Sequence, residues 1–72
     1  MENAEWHQVS SSNIAAVRYD VENQAVYVRF LNGSIYAYKG VPEYEFEHLR
    51  TAPSVGSYLN RNFKNVYPYE RA

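Results

Sequence analysis

The 72 residues provide for one domain with a thin hydrophobic core and exclude a second domain. With no cysteine and two histidines, the chain has no disulfides and no Cys/His zinc site, so side chains alone, 17% of them aromatic, must build the core. The formal net charge of −1 argues against a strongly basic nucleic-acid binder but is compatible with a local basic patch.

Residues 1–10 are predicted to be a loose N-terminal lead-in, because Trp6 and Val9 stand among polar residues and lead into the turn-forming sequence Ser10-Ser11-Ser12-Asn13. The acidic start lacks an apolar stretch, and no run of about 20 apolar residues occurs later in the chain. We therefore expect a cytoplasmic protein with no signal peptide and no membrane partner.

Three antiparallel strands are predicted next. Residues 14–20 and 25–31 are β-branched or aromatic and alternate, and the turn formers between them favour a hairpin with Asp20 opposite Ala25. Asn32-Gly33 favours a two-residue type I′ turn into a third strand. This turn would place Phe30 opposite Ile35.

The predicted register gives the three-stranded meander two unlike faces. The core face would hold Val17, Tyr19, Val26, Val28, Phe30, Ile35 and Ala37. The second face would be aromatic and basic, with Arg18, Tyr27, Arg29, Tyr36 and Tyr38.

Two short helices are predicted after the sheet. The first opens with Pro42 at its first helical position, ends near Thr51, and points Val41, Phe46 and Leu49 inward. Ser54 caps the second, whose apolar stripe packs on the sheet and consists of Val55, Tyr58, Leu59, Phe63 and Val66. Residues 67–72 are predicted to be an extended C-terminal tail. The fold class is therefore α+β, with one domain over residues 1–72.

No arrangement of residues points to catalysis. His7 lies in the lead-in and His48 on a helix, and neither accompanies a nucleophile and an orienting acid. Glu43, Glu45 and Glu47 alternate along a helix and cannot converge on one atom. The glycines stand singly, without a phosphate loop. We expect no enzyme, no cofactor and no metal site.

The second face has a known physical use, because unpaired bases stack on aromatic rings while arginines hold phosphates. Tyr36 and Tyr38 are the central candidates for binding RNA or single-stranded nucleic acid, with Tyr27 beside them. The candidate backbone contacts are Arg18, Arg29, Lys39, Asn60, Arg61 and Lys64. The alternative is a structural or protein-interaction domain, a homodimer or an accessory subunit, in which the tyrosines form core or interface and the basic residues are solubilising charge.

Several motifs between Val9 and Tyr67 resemble the KTSC domain, a small bacterial and phage domain that also occurs at the C-terminus of some lysyl-tRNA synthetases. They are Ser11-Ser12-Asn13-Ile14, Val17-Arg18-Tyr19-Asp20, Val28-Arg29-Phe30, the YxY motif Tyr36-Ala37-Tyr38, Gly40-Val41-Pro42, and Ser54-Val55-Gly56-Ser57-Tyr58-Leu59-Asn60. The chain departs from the family pattern at Arg18, where a small residue is common, and at Leu59, where Phe is frequent. The resemblance implies a domain with no established activity, for which the synthetase fusion suggests RNA binding.

Overall fold

Within residues 5–72, five antiparallel strands form one sheet in the order of the chain, and two helices are inserted before the last strand. The structure, a computed structural model, describes residues 5–72. The elements are β1 (His7–Gln8), β2 (Ile14–Asp20), β3 (Ala25–Phe30), β4 (Ile35–Tyr38), α1 (Glu43–Arg50), α2 (Val55–Asn62) and β5 (Tyr69–Arg71). The α+β class, the antiparallel sheet and the two helices are confirmed. No helix in the described part of the chain is long and apolar enough to cross a membrane.

The predicted number of strands is wrong, because both ends of the sheet gain a short edge strand. β1 lies within the predicted lead-in and pairs with β2, while β5 lies within the predicted tail and pairs with β4. Strands of two and three residues are too short to show an alternating pattern, so local sequence does not reveal them.

The first hairpin has the predicted register, with Asp20 opposite Ala25. The second hairpin does not, because its loop has three residues, Leu31 to Gly33. The N–H of Phe30 donates to the carbonyl of Ser34 at 2.8 Å, and the N–H of Gly33 donates to the carbonyl of Phe30 at 2.9 Å. Gly33 alone in this loop has positive φ, +93°, as in a type I turn followed by a left-handed glycine. The Asn32 side chain stabilises this loop by accepting the N–H of Ser34 at 2.9 Å.

The extra loop residue shifts β4 by one position and turns its side chains over. Val28 now lies opposite Tyr36, and Val26 lies opposite Tyr38. The prediction that Tyr36 and Tyr38 share a face with Tyr27 is therefore wrong. Both tyrosines lie on the face that carries the helices.

The core lies between this helix face and the two helices. Tyr19 stacks on Phe46 of α1 with ring centroids 5.3 Å apart, and Tyr38 meets Phe63, just after α2, edge-on at 5.6 Å. The remaining core residues include the predicted Val17, Val26, Val28, Val41, Leu49, Val55 and Leu59. Val66, predicted to be inward, is 61% exposed because α2 ends before it.

Both helix starts agree with local sequence signals. Pro42 occupies the N-cap of α1, one position before the predicted one. The Ser54 side chain accepts the N–H of Ser57 at 3.3 Å, so its predicted role as cap of α2 is confirmed.

Candidate functional site

The face of the sheet opposite the helices, here called the open face, carries Arg18 and Arg29, the basic residues of β2 and β3. Arg18, Tyr27, Ala37 and Glu70 are aligned across β2 to β5 and share this face. Arg29 lies one row away on β3. On β2 and β3, the open face thus retains three of the predicted site residues, Arg18, Tyr27 and Arg29.

Trp6 joins these residues in an arginine–aromatic cluster. The guanidinium carbon of Arg18 lies 4.1 Å from the centre of the Tyr27 ring and 5.5 Å from that of Trp6. The guanidinium carbon of Arg29 lies 4.7 Å from the centre of the Trp6 ring. Cation–π attraction and packing of the side-chain stems hold both arginines in place. All four side chains remain partly accessible to solvent.

Lys39 follows β4 directly, and its ammonium group contacts Glu70 at 3.1 Å. Lys39 has the same parity as Ala37, and the observed register of β4 places Ala37 on the open face, opposite Tyr27. Because both partners are exposed, this ion pair is weak and exchanges readily with solvent. Lys39 is therefore a peripheral cation of the open face.

Tyr36 and Tyr38 instead line a groove on the helix face, here called the aromatic groove, with a volume of about 310 Å³. Its aromatic lining is completed by Phe30 and Tyr69, and its polar lining consists of Asn32, Ser34 and Lys64. The Tyr36 ring lies 5.7 Å from Phe30 and 5.5 Å from Tyr69 between centroids. Tyr38 is only 3% exposed, which removes it from any open stacking surface, whereas Tyr69 is 52% exposed.

Arg71 adds a second cation beside this groove. It lies opposite Tyr36 in the β4–β5 pair, and its guanidinium donates to the Ser34 hydroxyl at 3.4 Å. Burial raises the pKa of Tyr38, and the neighbouring Tyr69 and Tyr36 raise it further. Tyr38 therefore stays neutral near pH 7 and brings no negative charge to the groove.

A second, polar pocket of about 380 Å³ contains Asn60, together with the serines before β2 and at the start of α2. Two of these serines bond to nearby backbone groups. The Ser11 hydroxyl accepts the N–H groups of Asn13 and Ile14, and Ser54 caps α2. A Cβ at Gly56 would lie 3.1 Å from the Asn13 amide oxygen, so a small residue suits this helix start. These contacts give the serine motifs a structural role.

The nine predicted site residues therefore fall on three surfaces. Arg18, Tyr27, Arg29 and Lys39 belong to the open face, Tyr36, Tyr38 and Lys64 line the aromatic groove, and Asn60 and Arg61 are exposed on α2. Sequence reasoning missed Trp6, Phe30, Tyr69 and Arg71 as site residues. Trp6 carried a usable signal, since it is the single tryptophan of the chain and stands among polar residues. In residues 5–72, no three His, Cys, Asp or Glu side chains cluster as metal ligands.

Comparison with known proteins places this geometry in a family. The KTSC domain profile matches residues 10–67. A lysine–tRNA ligase of a Nostoc species is 40% identical over 60 residues, which cover 83% of this chain but 11% of the ligase. An uncharacterized protein of Stutzerimonas stutzeri is 36% identical over 56 residues, 78% of this chain and 79% of that protein. The crystal structure of a KTSC domain protein from Yersinia pestis is similar with a TM-score of 0.86 and 29% identity, covering 94% of this chain and 96% of the other.

Proposed function

This chain belongs to the KTSC domain family, and we propose that it is a non-enzymatic module that binds RNA or other single-stranded nucleic acid on its open face. KTSC domains are small domains of uncharacterised function, and the family is not one of enzymes. The observation that carries the proposal is the arginine–aromatic cluster of Trp6, Arg18, Tyr27 and Arg29 on the side of the sheet free of helices.

The cluster combines the two groups that bind an unpaired strand. Guanidinium groups donate several N–H bonds to phosphate oxygens, and aromatic rings stack on bases of any identity. Because the rings already hold Arg18 and Arg29, less side-chain entropy is lost when a phosphate binds. A surface organised in this way suits contacts to the strand backbone more than recognition of one base sequence.

The relatives support the same class of partner. The matched region makes up 11% of two lysine–tRNA ligases, so a domain of this kind accompanies enzymes that act on tRNA. The chain spans about a tenth of the length of these ligases, and the ligase reaction lies outside it. The fusion favours RNA over DNA as the partner.

A protein-interaction module is the competing function. The structure favours a core role for Tyr19 and Tyr38, which are buried. A core role therefore explains Tyr19 and Tyr38. It does not explain Tyr27, which stays partly accessible beside Arg18 and Arg29. Nucleic-acid binding and a protein interface differ sharply in their dependence on salt.

The test is a titration with mixed-sequence single-stranded RNA and DNA, followed by the fluorescence of Trp6, the single tryptophan, and by NMR. Binding should change Trp6 emission and weaken steeply as salt rises. Each phosphate contact on a single strand contributes about −0.7 to the slope of log K against log salt. The double variant Arg18→Gln/Arg29→Gln, which removes two such contacts, should therefore reduce the magnitude of this slope by about 1.4.

The structure places Arg61 on α2 and therefore away from the open face. The double variant Arg50→Gln/Arg61→Gln is thus the matched control, because it removes the same charge from exposed positions on the two helices. The control should leave the salt slope unchanged. If both double variants reduced the magnitude of the salt slope equally, the effect would come from net charge and not from the open face. Absence of any Trp6 response at millimolar RNA and DNA would refute the proposal and favour a protein partner.

A further inference from the structure

We infer that the aromatic groove is a second binding site, which takes one nucleotide unit with its base against Tyr36 and Tyr69 and its phosphate against Lys64 and Arg71. The groove lies on the helix face, whereas the arginine–aromatic cluster lies on the open face. The inference therefore goes beyond the proposed function and uses different side chains.

The shape of the groove suits a small planar group. Its volume of about 310 Å³ lies at the lower end of the range for small-molecule sites. Tyr38 forms part of the wall and is fixed by its edge-on contact with Phe63. Tyr69 is half exposed although it lies within 5.5 Å of two other rings between centroids. An aromatic ring left accessible in a concave, aromatic-lined site is available for stacking on a base.

The charge of the groove selects an anion. Lys64 lines it and Arg71 donates to Ser34 at its rim, while no carboxylate belongs to the described lining. Glu70, the acidic residue of β5, lies on the opposite face of the sheet and is paired with Lys39. Aromatic walls together with two cations match a base joined to a phosphate better than they match an uncharged aromatic compound.

The wall formed by β5 is fixed by backbone hydrogen bonds. The N–H of Lys39 donates to the carbonyl of Pro68, and the N–H of Ala72 donates to the carbonyl of Ile35, both at 2.8 Å. These bonds hold Tyr69 beside Tyr36 before any ligand arrives. A site formed in advance loses less entropy on binding than one that must assemble around its ligand.

The first experiment is an NMR titration of the full chain with each of the four nucleoside 5′-monophosphates, with the corresponding nucleosides, and with inorganic phosphate. Monophosphates should shift the resonances of Tyr36, Tyr69, Lys64 and Arg71 more strongly than nucleosides or phosphate do. A parallel titration with a short single-stranded RNA distinguishes a free nucleotide from a nucleotide within a strand. Groove shifts with RNA alone would assign the site to a strand.

Two variants test the roles of base and phosphate separately. Tyr69→Ala should weaken monophosphate binding about tenfold or more, because the base loses the Tyr69 ring on which it stacks. Lys64→Gln should weaken monophosphate binding and leave nucleoside binding unchanged. Tyr44→Ala is the matched control, because Tyr44 is an exposed tyrosine on α1, outside the groove lining. Circular dichroism confirms that each variant is folded.

Three outcomes would overturn the inference. They are no groove shifts with any monophosphate or with RNA at millimolar concentration, shifts with inorganic phosphate equal to those with monophosphates, and equal losses in Tyr69→Ala and Tyr44→Ala. The two proposals fail separately. If Trp6 emission does not respond to nucleic acid while the groove resonances shift, only the open-face function is refuted. If Trp6 emission responds and the groove resonances do not shift, only the groove inference is refuted.

Discussion

Replacing Tyr19 by Phe tests the polar contact that ties the sheet to the start of α1. The Tyr19 hydroxyl donates to the carbonyl of Val41 at 2.6 Å, and both residues are buried. Tyr19→Phe keeps the ring stacked on Phe46 and removes only the hydroxyl. The Val41 carbonyl is then left without this partner inside the core.

An unsatisfied buried carbonyl costs about 1–3 kcal/mol. A domain of this size has a total stability of roughly 3–5 kcal/mol, so the substitution should remove a large share of it. Each kcal/mol lost corresponds to about 4–8 °C in Tm for a domain of this length. We expect a clear fall in the urea midpoint with an unchanged m-value, measured by circular dichroism.

Tyr44→Phe is the control, because the Tyr44 side chain is 65% exposed and should lose its hydroxyl with a change within about 0.5 kcal/mol. A Tyr19→Phe midpoint equal to that of the control would refute the reasoning, since the hydroxyl would then contribute nothing net. A loss above about 4 kcal/mol would also contradict it, because removal of a hydroxyl alone cannot account for so large an effect.

Two further predictions concern pH and the β3–β4 loop. Burial raises the pKa of Tyr19, Tyr38, Tyr58 and Tyr67 above its usual value of 10.0, and nearby Glu45 adds to the rise for Tyr58 and Tyr67. The stability that these neutral tyrosines contribute is therefore fully present below about pH 10 and is lost as the pH rises through their raised pKa values. The urea midpoint should fall over this pH range, and a midpoint that stays constant would contradict the prediction. Gly33→Ala should cost about 1–2 kcal/mol, because φ at this position is +93°, whereas Leu31→Ala, at an exposed position of the same loop, should cost much less. Equal urea midpoints for these two variants would show that the left-handed conformation is not required.

Much of the local structure was predictable because its signals are local. The alternation in residues 14–20 and 25–31 predicted β2 and β3, and the turn formers between them set Asp20 opposite Ala25. Ser54 capped α2 as expected, because an N-cap depends on residues within one turn. Strand and helix type follow from side-chain periodicity and end signals, which a single segment carries by itself.

The candidate site was only partly predictable, because it depends on register and on distant partners. Asn32-Gly33 is compatible with a two-residue turn and with a three-residue loop. The sequence correctly predicts that Arg18, Tyr27 and Arg29 share a face, since all three belong to the hairpin whose predicted register is confirmed. Sequence analysis does not identify Trp6 and Tyr69 as site residues, because the neighbouring β1 and β5 form strands only by pairing with β2 and β4.

Local sequence signals are sufficient to predict the α+β class, the central strands and both helices. They also predict that Tyr36 and Tyr38 point to one common side of β4, since alternate residues of a strand share a face. Which side that is depends on the pairing of β4 with β3, which no local signal specifies. A shift of one residue exchanges the two faces of a strand. In the observed register, Tyr38 packs against Phe63, which lies 25 residues further along the chain. Burial of apolar surface between such distant residues cannot be predicted from the sequence of β4 alone.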